Sequence, residues 1–396
     1  MTATAAAPVY EADIYEDQAL LEPYEHYRSL RELGPAVWLE AHGAWAVPRY
    51  AEAKAVLFDS DTFRSANGIA LNEPANTAIL GCTLASDGDL HTRLRKVVAH
   101  RLTPRALRPM NEIVTRKAEA LVAELVAGGS FDAVHDLARA LPLSVVPDFI
   151  GWPEQGREHL LEWAGANFDS FGPMNDRARR AMPKCGEMAA FGAEIVRTGN
   201  VAPGSLGASV LEARDQGAVT TEQCMMLMLD YLAPSLDTTI SAVGSAIWLF
   251  GTRPDQWDAV RADPGLIPNA VNEIVRFEAP IRAFGRVAGT DTQIGGVPIA
   301  AGSRVLVLYA SANRDERKFE RPDEFDVTRP DAAEQLGFGY GEHGCAGQGL
   351  ARMETQALLA ALARSVRRFH LGEPRRALNN LIRALGSLPV TVEREG

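Results

Sequence analysis

Apolar residues recur three and four apart from Tyr24 to Gly34 and then alternate with polar ones through VWLEAHGAWAVPRY, Val37 to Tyr50. The first spacing predicts a helix stopped by Gly34-Pro35, and the second predicts two short strands about a turn. From about Pro48 to about Arg276 the period is mostly helical. It is broken at Thr103-Pro104, Gly128-Gly129, Gly151-Trp152-Pro153, Pro203-Gly204 and Arg253-Pro254, where these residue types end or restart helices. Within this body Thr220 to Phe250 reads as one long helix, apolar on all sides and therefore central. Pro234 lies in its middle, has no N–H to offer the carbonyl of Asp230, and should bend or open it. From Arg286 to Leu308, RVAGTDTQIGGVPIAAGSRVLVL reads as short strands joined by Gly turns, and strands return near SLPVTVE. The pattern predicts a mainly α fold with small β-sheets. No internal repeat or long linker divides it, so residues 1–396 are expected to form one domain, with roughly the first 15 residues a loose tail.

Composition narrows the partners. Apolar residues make up 46% and charged residues 23%, enough for a large core and too balanced for disorder. A net charge of −11 argues against nucleic acid or an anionic membrane as partner. The N-terminal stretch has no cationic and apolar leader, and no long uncharged apolar run follows, so a cytoplasmic, membrane-free and monomeric protein is expected. Cys82, Cys185, Cys224 and Cys345 stand far apart, without the pairing of a zinc site or the density of a disulfide scaffold.

One cysteine differs from the others. Phe338-Gly-Tyr-Gly341-Glu-His343-Gly-Cys345-Ala-Gly347 runs straight into an apolar-periodic helix, Leu350 to Ala363. A helix N-terminus favours a thiolate, because its free N–H groups and positive end lower the cysteine pKa. Glycines let this loop run close to a flat group, and Phe338 can shield the sulfur. A lone cysteine in a Gly-rich loop is ordinarily a small buried residue. The full run, however, resembles the ligand loop of the cytochrome P450 family, F-x-x-G-x-[HR]-x-C-x-G, at every fixed position. The resemblance implies the P450 fold, with haem b between the long central helix and the ligand loop and helix. It also implies that Cys345 ligates the iron and His343 reaches a haem propionate.

Other motifs gain meaning from that resemblance. Glu273-Ile-Val-Arg276 puts a carboxylate and a guanidinium on one helix face, by itself a common surface pair. In the family it looks like the E-x-x-R that joins a downstream arginine, here Arg329. His91 and Arg95, four apart, point from one face; as a bare pair they would equally be a solvated basic face. The resemblance assigns His91, Arg95, Arg286 and His343 to the haem propionates. Pro234-Ser235-Leu236-Asp237-Thr238-Thr239 is similar to the family's [AG]-G-x-[DE]-T-[ST], departing at its first two positions. An acid and two hydroxyls on a helix otherwise bond back to their own carbonyls. The resemblance makes Thr238 the holder of a water and Asp237 the proton donor for O–O cleavage.

The resemblance is nearest to bacterial forms that demethylate 4-methoxybenzoate and related aromatic acids. Where those grip a carboxylate, this chain places Asn67, Leu229 and Asp230, and a buried anion beside Asp230 would be repelled. The expected substrate is therefore a neutral methoxyphenol of the guaiacol or syringol type. Asn67 or Asp230 would accept from its hydroxyl, and Phe168, Phe171 and Phe284 would pack its ring. Each phenylalanine is by itself more ordinary as core, and Arg282 is an alternative carboxylate clamp. A benzoate demethylase, a peroxide-driven peroxygenase and a non-catalytic haem sensor remain the rival readings. No flavin or iron–sulfur segment is legible, so dioxygen chemistry would draw electrons from a 2Fe-2S ferredoxin and its NAD(P)H-dependent reductase. Arg101, Arg105, Arg108 and Arg352 are candidates for the docking face, or simply solubilising charge.

Overall fold

A computed structural model describes residues 7–395 apart from Leu232. The fold is mainly helical with small sheets. The predicted breaks are physical ends. Thr103 caps the helix Pro104–Gly128 by accepting the Ala106 N–H, and that helix stops at Gly129 in the left-handed conformation. The helix Ala140–Ile150 ends the same way at Gly151. Both stops use glycine where a Cβ would be strained.

The expected central helix is divided. Thr221–Asp230 forms one helix, begun by a capping box between Thr220 and Gln223, and Ala233–Thr252 forms the next. Pro234 thus falls in the first turn of the second helix, where its missing N–H costs nothing. The proline separates two helices instead of bending one. The second runs through the core: Leu236, Val243, Ala246, Ile247, Leu249 and Phe250 are each at most 1% exposed. Complete burial of such a side chain contributes about 1.5–3 kcal/mol.

The main sheet is a six-stranded layer in the order Val9–Tyr10, Val37–Leu39, Ala44–Val47, Arg304–Val307, Phe284–Ala288, Phe63–Arg64. The hairpin Val37–Val47 is antiparallel, with Trp38 opposite Trp45, and Trp45 pairs in parallel with Val305. Val9 pairs with Trp38, and Ile14 and Tyr15 are buried, so the chain is built into the fold well before residue 15. Residues 1–6 of the expected tail lie outside the described residues. A second sheet joins Val366–Leu371, Pro389–Arg394 and Ser130–Asp132. Among the described residues no helix is long and apolar enough to cross a membrane.

A buried charge network ties the helix Ile267–Phe277 to the loop before the cysteine. Glu273 accepts two bonds from Arg276, at 2.6 and 2.8 Å, and a third from Arg329 at 3.1 Å. Glu273 and Arg276 are both fully buried. Arg276 also donates to the carbonyls of Asn313, Pro322 and Glu324, so the guanidinium organises turns that have no regular ladder of their own. Removing one partner leaves a buried charge unmatched, which costs about 3–5 kcal/mol. Glu273→Ala should lower the unfolding free energy by that order in denaturant titration; an unchanged midpoint would show that the pair is dispensable.

Candidate active site

The run Phe338 to Gly347 folds as a tight loop. Gly339 and Gly341 have φ of 71°, and a Cβ on Gly341 would stand 2.5 Å from the Leu57 carbonyl, so glycine is required there on two counts. The Cys345 N–H donates to the Phe338 carbonyl at 2.7 Å, and the helix Gln348–Ser365 begins directly afterwards. Arg352 lies 4.7 Å above the Phe338 ring and donates to Asn272. Arg352 is therefore held against the fold, not free for the docking face expected of it.

Burial raises the Cys345 thiol pKa, while the N–H groups of Gly347 and Gln348 and the charge of Arg95 pull the other way. The helix-end N–H groups thus act in the expected direction, lowering the cost of a thiolate against the larger effect of burial.

A cavity of about 310 Å³ opens over Cys345, within the size range of small-molecule sites. Arg95, Arg286 and His343 line it. Arg95 donates to the Gly344 carbonyl at 2.5 Å and Arg286 to its neighbouring Gly285 carbonyl at 2.7 Å. Among the described residues no carboxylate pairs with either guanidinium. His91 does not reach the cavity wall; its ring lies against His343 with centroids 4.2 Å apart and planes tilted by 45°. The His91 Nε2 is buried without a hydrogen-bond partner, and the His343 Nε2 stands 3.5 Å from Glu342 and 3.8 Å from Asp87. Burial, with His343 and Arg95 nearby, lowers the His91 pKa to about 4.

Opposite the cysteine, Pro234, Ser235, Thr238 and Thr239 form the wall. The Thr238 hydroxyl donates to the Pro234 carbonyl at 2.6 Å and Ser235 to the Tyr231 carbonyl at 2.5 Å, the back-bonding that leaves hydroxyls at the surface of a helix. Asp237 faces away from the cavity wall, towards Gly165. Burial raises its pKa to about 7, with the Asp169 charge adding and Arg139 opposing. Phe168, Phe171, Phe284 and Asp230 also line the cavity.

Two expected substrate contacts are elsewhere. Asn67 is exposed, sits in a left-handed turn with φ of 59°, and is not part of the cavity wall; the residues from Ala78 to Leu84 supply that wall instead. Arg282 is buried and donates to the carbonyls of Leu20 and Asn379, so its charge is consumed in holding main chain and it cannot clamp a carboxylate. Sequence reasoning also missed Thr83, Tyr231 and Glu354. Glu354 was visible as an acid on the apolar face of a helix. It is 1% exposed, lines the cavity, has an unpartnered Oε1, and burial raises its pKa to about 8.

Comparison with known proteins decides the family. Residues 205–387 match the family model described as Cytochrome P450. CYP199A2 of Rhodopseudomonas palustris is 38% identical over 98% of this chain and 95% of its own length. The chain belongs to the cytochrome P450 family. The 6-deoxyerythronolide B hydroxylase of Saccharopolyspora erythraea is 32% identical over 96% of this chain and 98% of its own. A solved P450, CREJ in complex with (4-ethylphenyl) dihydrogen phosphate, superimposes with a TM-score of 0.85 at 28% identity, covering 96% of this chain and 99% of that one.

The chain is thus a monooxygenase whose cofactor is haem b. The residues present fit that group. The part-buried Arg95 and the buried Arg286 lack carboxylate partners, and the side chain of His343 lines the same largely apolar cavity as Cys345. A flat apolar group carrying two carboxylates and a cation answers each deficit.

The raised carboxyl of Asp237 has a consequence for stability. Its pKa in the fold lies above its ordinary 3.8, so the folded state carries no cost below that value, a growing one as pH rises, and the full cost above about pH 7. Asp237→Asn should therefore stabilise the protein, by an amount on the order of a few kcal/mol near pH 8 and less near pH 5. Thermal unfolding at the two pH values measures this, and an equal shift at both would refute the buried-acid assignment.

Proposed function

We propose that this P450 demethylates a small neutral aromatic methyl ether, a methoxyphenol of the guaiacol or syringol type. The observation that carries the reading is Asp230: a carboxyl that lines the cavity with Phe168, Phe171 and Phe284 and accepts from the Thr83 N–H at 2.7 Å, with Arg282 turned away. A carboxylate substrate would meet an acid there, whereas a phenolic hydroxyl meets an acceptor. Phe171 and Phe284, with ring centroids 6.4 Å apart, and Phe168 leave an apolar slot for one ring.

Arg95, Arg286 and His343 hold the haem carboxylates, His91 buttresses His343, and Cys345 supplies the thiolate. Haem bound there supplies the activation of dioxygen and the abstraction of hydrogen. The protein's own part is proton delivery and orientation. Asp237, with a pKa of about 7, gives up and regains a proton near neutral pH, the property a general acid requires. Thr238, one residue on and facing the cavity, hands that proton inward when its hydroxyl leaves the Pro234 carbonyl. In balance, one oxygen atom enters a methyl C–H bond and the other leaves as water, consuming two electrons and two protons. The resulting hemiacetal breaks its O–CH₂ bond, its hydroxyl proton passes to the phenolic oxygen, and formaldehyde departs.

Electrons come from a 2Fe-2S ferredoxin served by an NAD(P)H-dependent reductase, to a monomeric single-domain chain in the cytoplasm. Arg105 and Arg108 are exposed on the helix that packs its Leu107 against Gly349, at the start of the ligand helix. That position suits an acidic donor.

With ferredoxin, reductase and NADH, 4-methoxyphenol should release formaldehyde and Cys345→Ser should release none; formaldehyde from the serine variant would refute the thiolate assignment. Thr238→Ala should divert reducing equivalents, raising hydrogen peroxide formed per NADH several-fold. Unchanged coupling would mean that protons reach the site without this hydroxyl.

A further inference from the structure

The part of the cavity wall around Asp230 holds more unsatisfied polarity than a slot for an apolar ring needs. Asp230 accepts from the Thr83 N–H at 2.7 Å. The Thr83 hydroxyl and the Tyr231 hydroxyl are both buried and neither makes a hydrogen bond of good geometry, although they lie close to one another and to Asp230; their residues are 5% and 8% exposed. Thr83, Asp230 and Tyr231 all line the same cavity, and the Tyr231 hydroxyl lies within the field of Asp230, Arg95 and Cys345. Buried hydroxyls left unpaired cost roughly 1–3 kcal/mol each, so this cluster is complete only when something else bonds to it.

We infer that Asp230, Thr83 and Tyr231 form a paired recognition site for one substrate group that both donates and accepts a hydrogen bond, which among small aromatics is the phenolic hydroxyl. The inference rests on the substrate reading above and assigns it two new specificity residues. The substrate hydroxyl donates to the Asp230 carboxylate and accepts from the Thr83 and Tyr231 hydroxyls, so each otherwise unpaired atom gains a partner. An ether, a methyl group or an ammonium satisfies at most one half of this arrangement. A carboxylate adds a second anion beside Asp230. The methyl ether is then the other end of the ring, directed towards Cys345.

The test uses the haem-loaded protein and ligands matched in shape: 4-methoxyphenol, 4-methoxytoluene and 4-methoxybenzoate. Dissociation constants are read from the change in haem absorption as axial water is displaced. The phenol should bind about tenfold or more tightly than the toluene, since a pocket built for a hydroxyl rejects the analogue without one. In Thr83→Val and Tyr231→Phe that ratio should fall several-fold with haem content and unfolding midpoint retained. Equal binding of phenol and toluene by the unaltered protein, tighter binding of the benzoate, or a ratio untouched in both variants overturns the inference. A Tyr231→Phe protein that sheds haem faster with the ratio intact places that hydroxyl on the cofactor and overturns its share. Formaldehyde release separates the two claims. Demethylation without phenol preference removes the recognition site alone, and phenol preference without formaldehyde removes the demethylase reading alone.

Discussion

The cost of burying charge without a counter-charge governs the centre of this molecule. Cys345 carries a thiol whose pKa desolvation raises, Arg95 and Arg286 are cations without carboxylates, and burial first, then its cationic neighbours, lower the His91 pKa. Each group is unfavourable by itself. One group carrying iron and two carboxylates would answer them together. The network of Glu273, Arg276 and Arg329 differs: it is more deeply buried and complete in itself, and it serves the fold.

The walls around this centre are set by glycine and proline. Gly339 and Gly341 supply the left-handed turns of the ligand loop, and Gly341 also lets the loop touch Leu57 and Phe58. On the opposite side Pro234 opens a helix at the position where Thr238 bonds the Pro234 carbonyl. The chain thus places a thiol on one face of the cavity and a hydroxyl on the other, with Asp237 held behind, in reach of Gly165 and Asp169. Its raised pKa is a stability cost of the kind common at functional sites, at the position proposed for proton delivery.

Much of this was legible beforehand because the signals are local. Thr103, Gly129, Gly151 and Pro254 mark helix ends through their own backbone preferences, and the ten residues from Phe338 to Gly347 carry the ligand loop within a single stretch. Spacing alone put His91 and Arg95 on one face. The short strands Phe63–Arg64 and Ser130–Asp132 were not legible, because two or three residues show no period and take their pairing from distant partners.

Sequence by itself determined the fold class and the family and singled out Cys345 as the proposed iron ligand, since each depends on residue types at fixed short separations. Only the tertiary structure decided the lining of the cavity. Asn67 proved to be a turn residue in solvent and Arg282 a strut for main-chain carbonyls. Thr83, in a loop without distinguishing pattern, came to face Asp230 and Tyr231 from 147 residues away. A substrate pocket is the meeting of segments that share no local pattern, and whether a polar atom there is satisfied depends on neighbours that only the folded chain supplies.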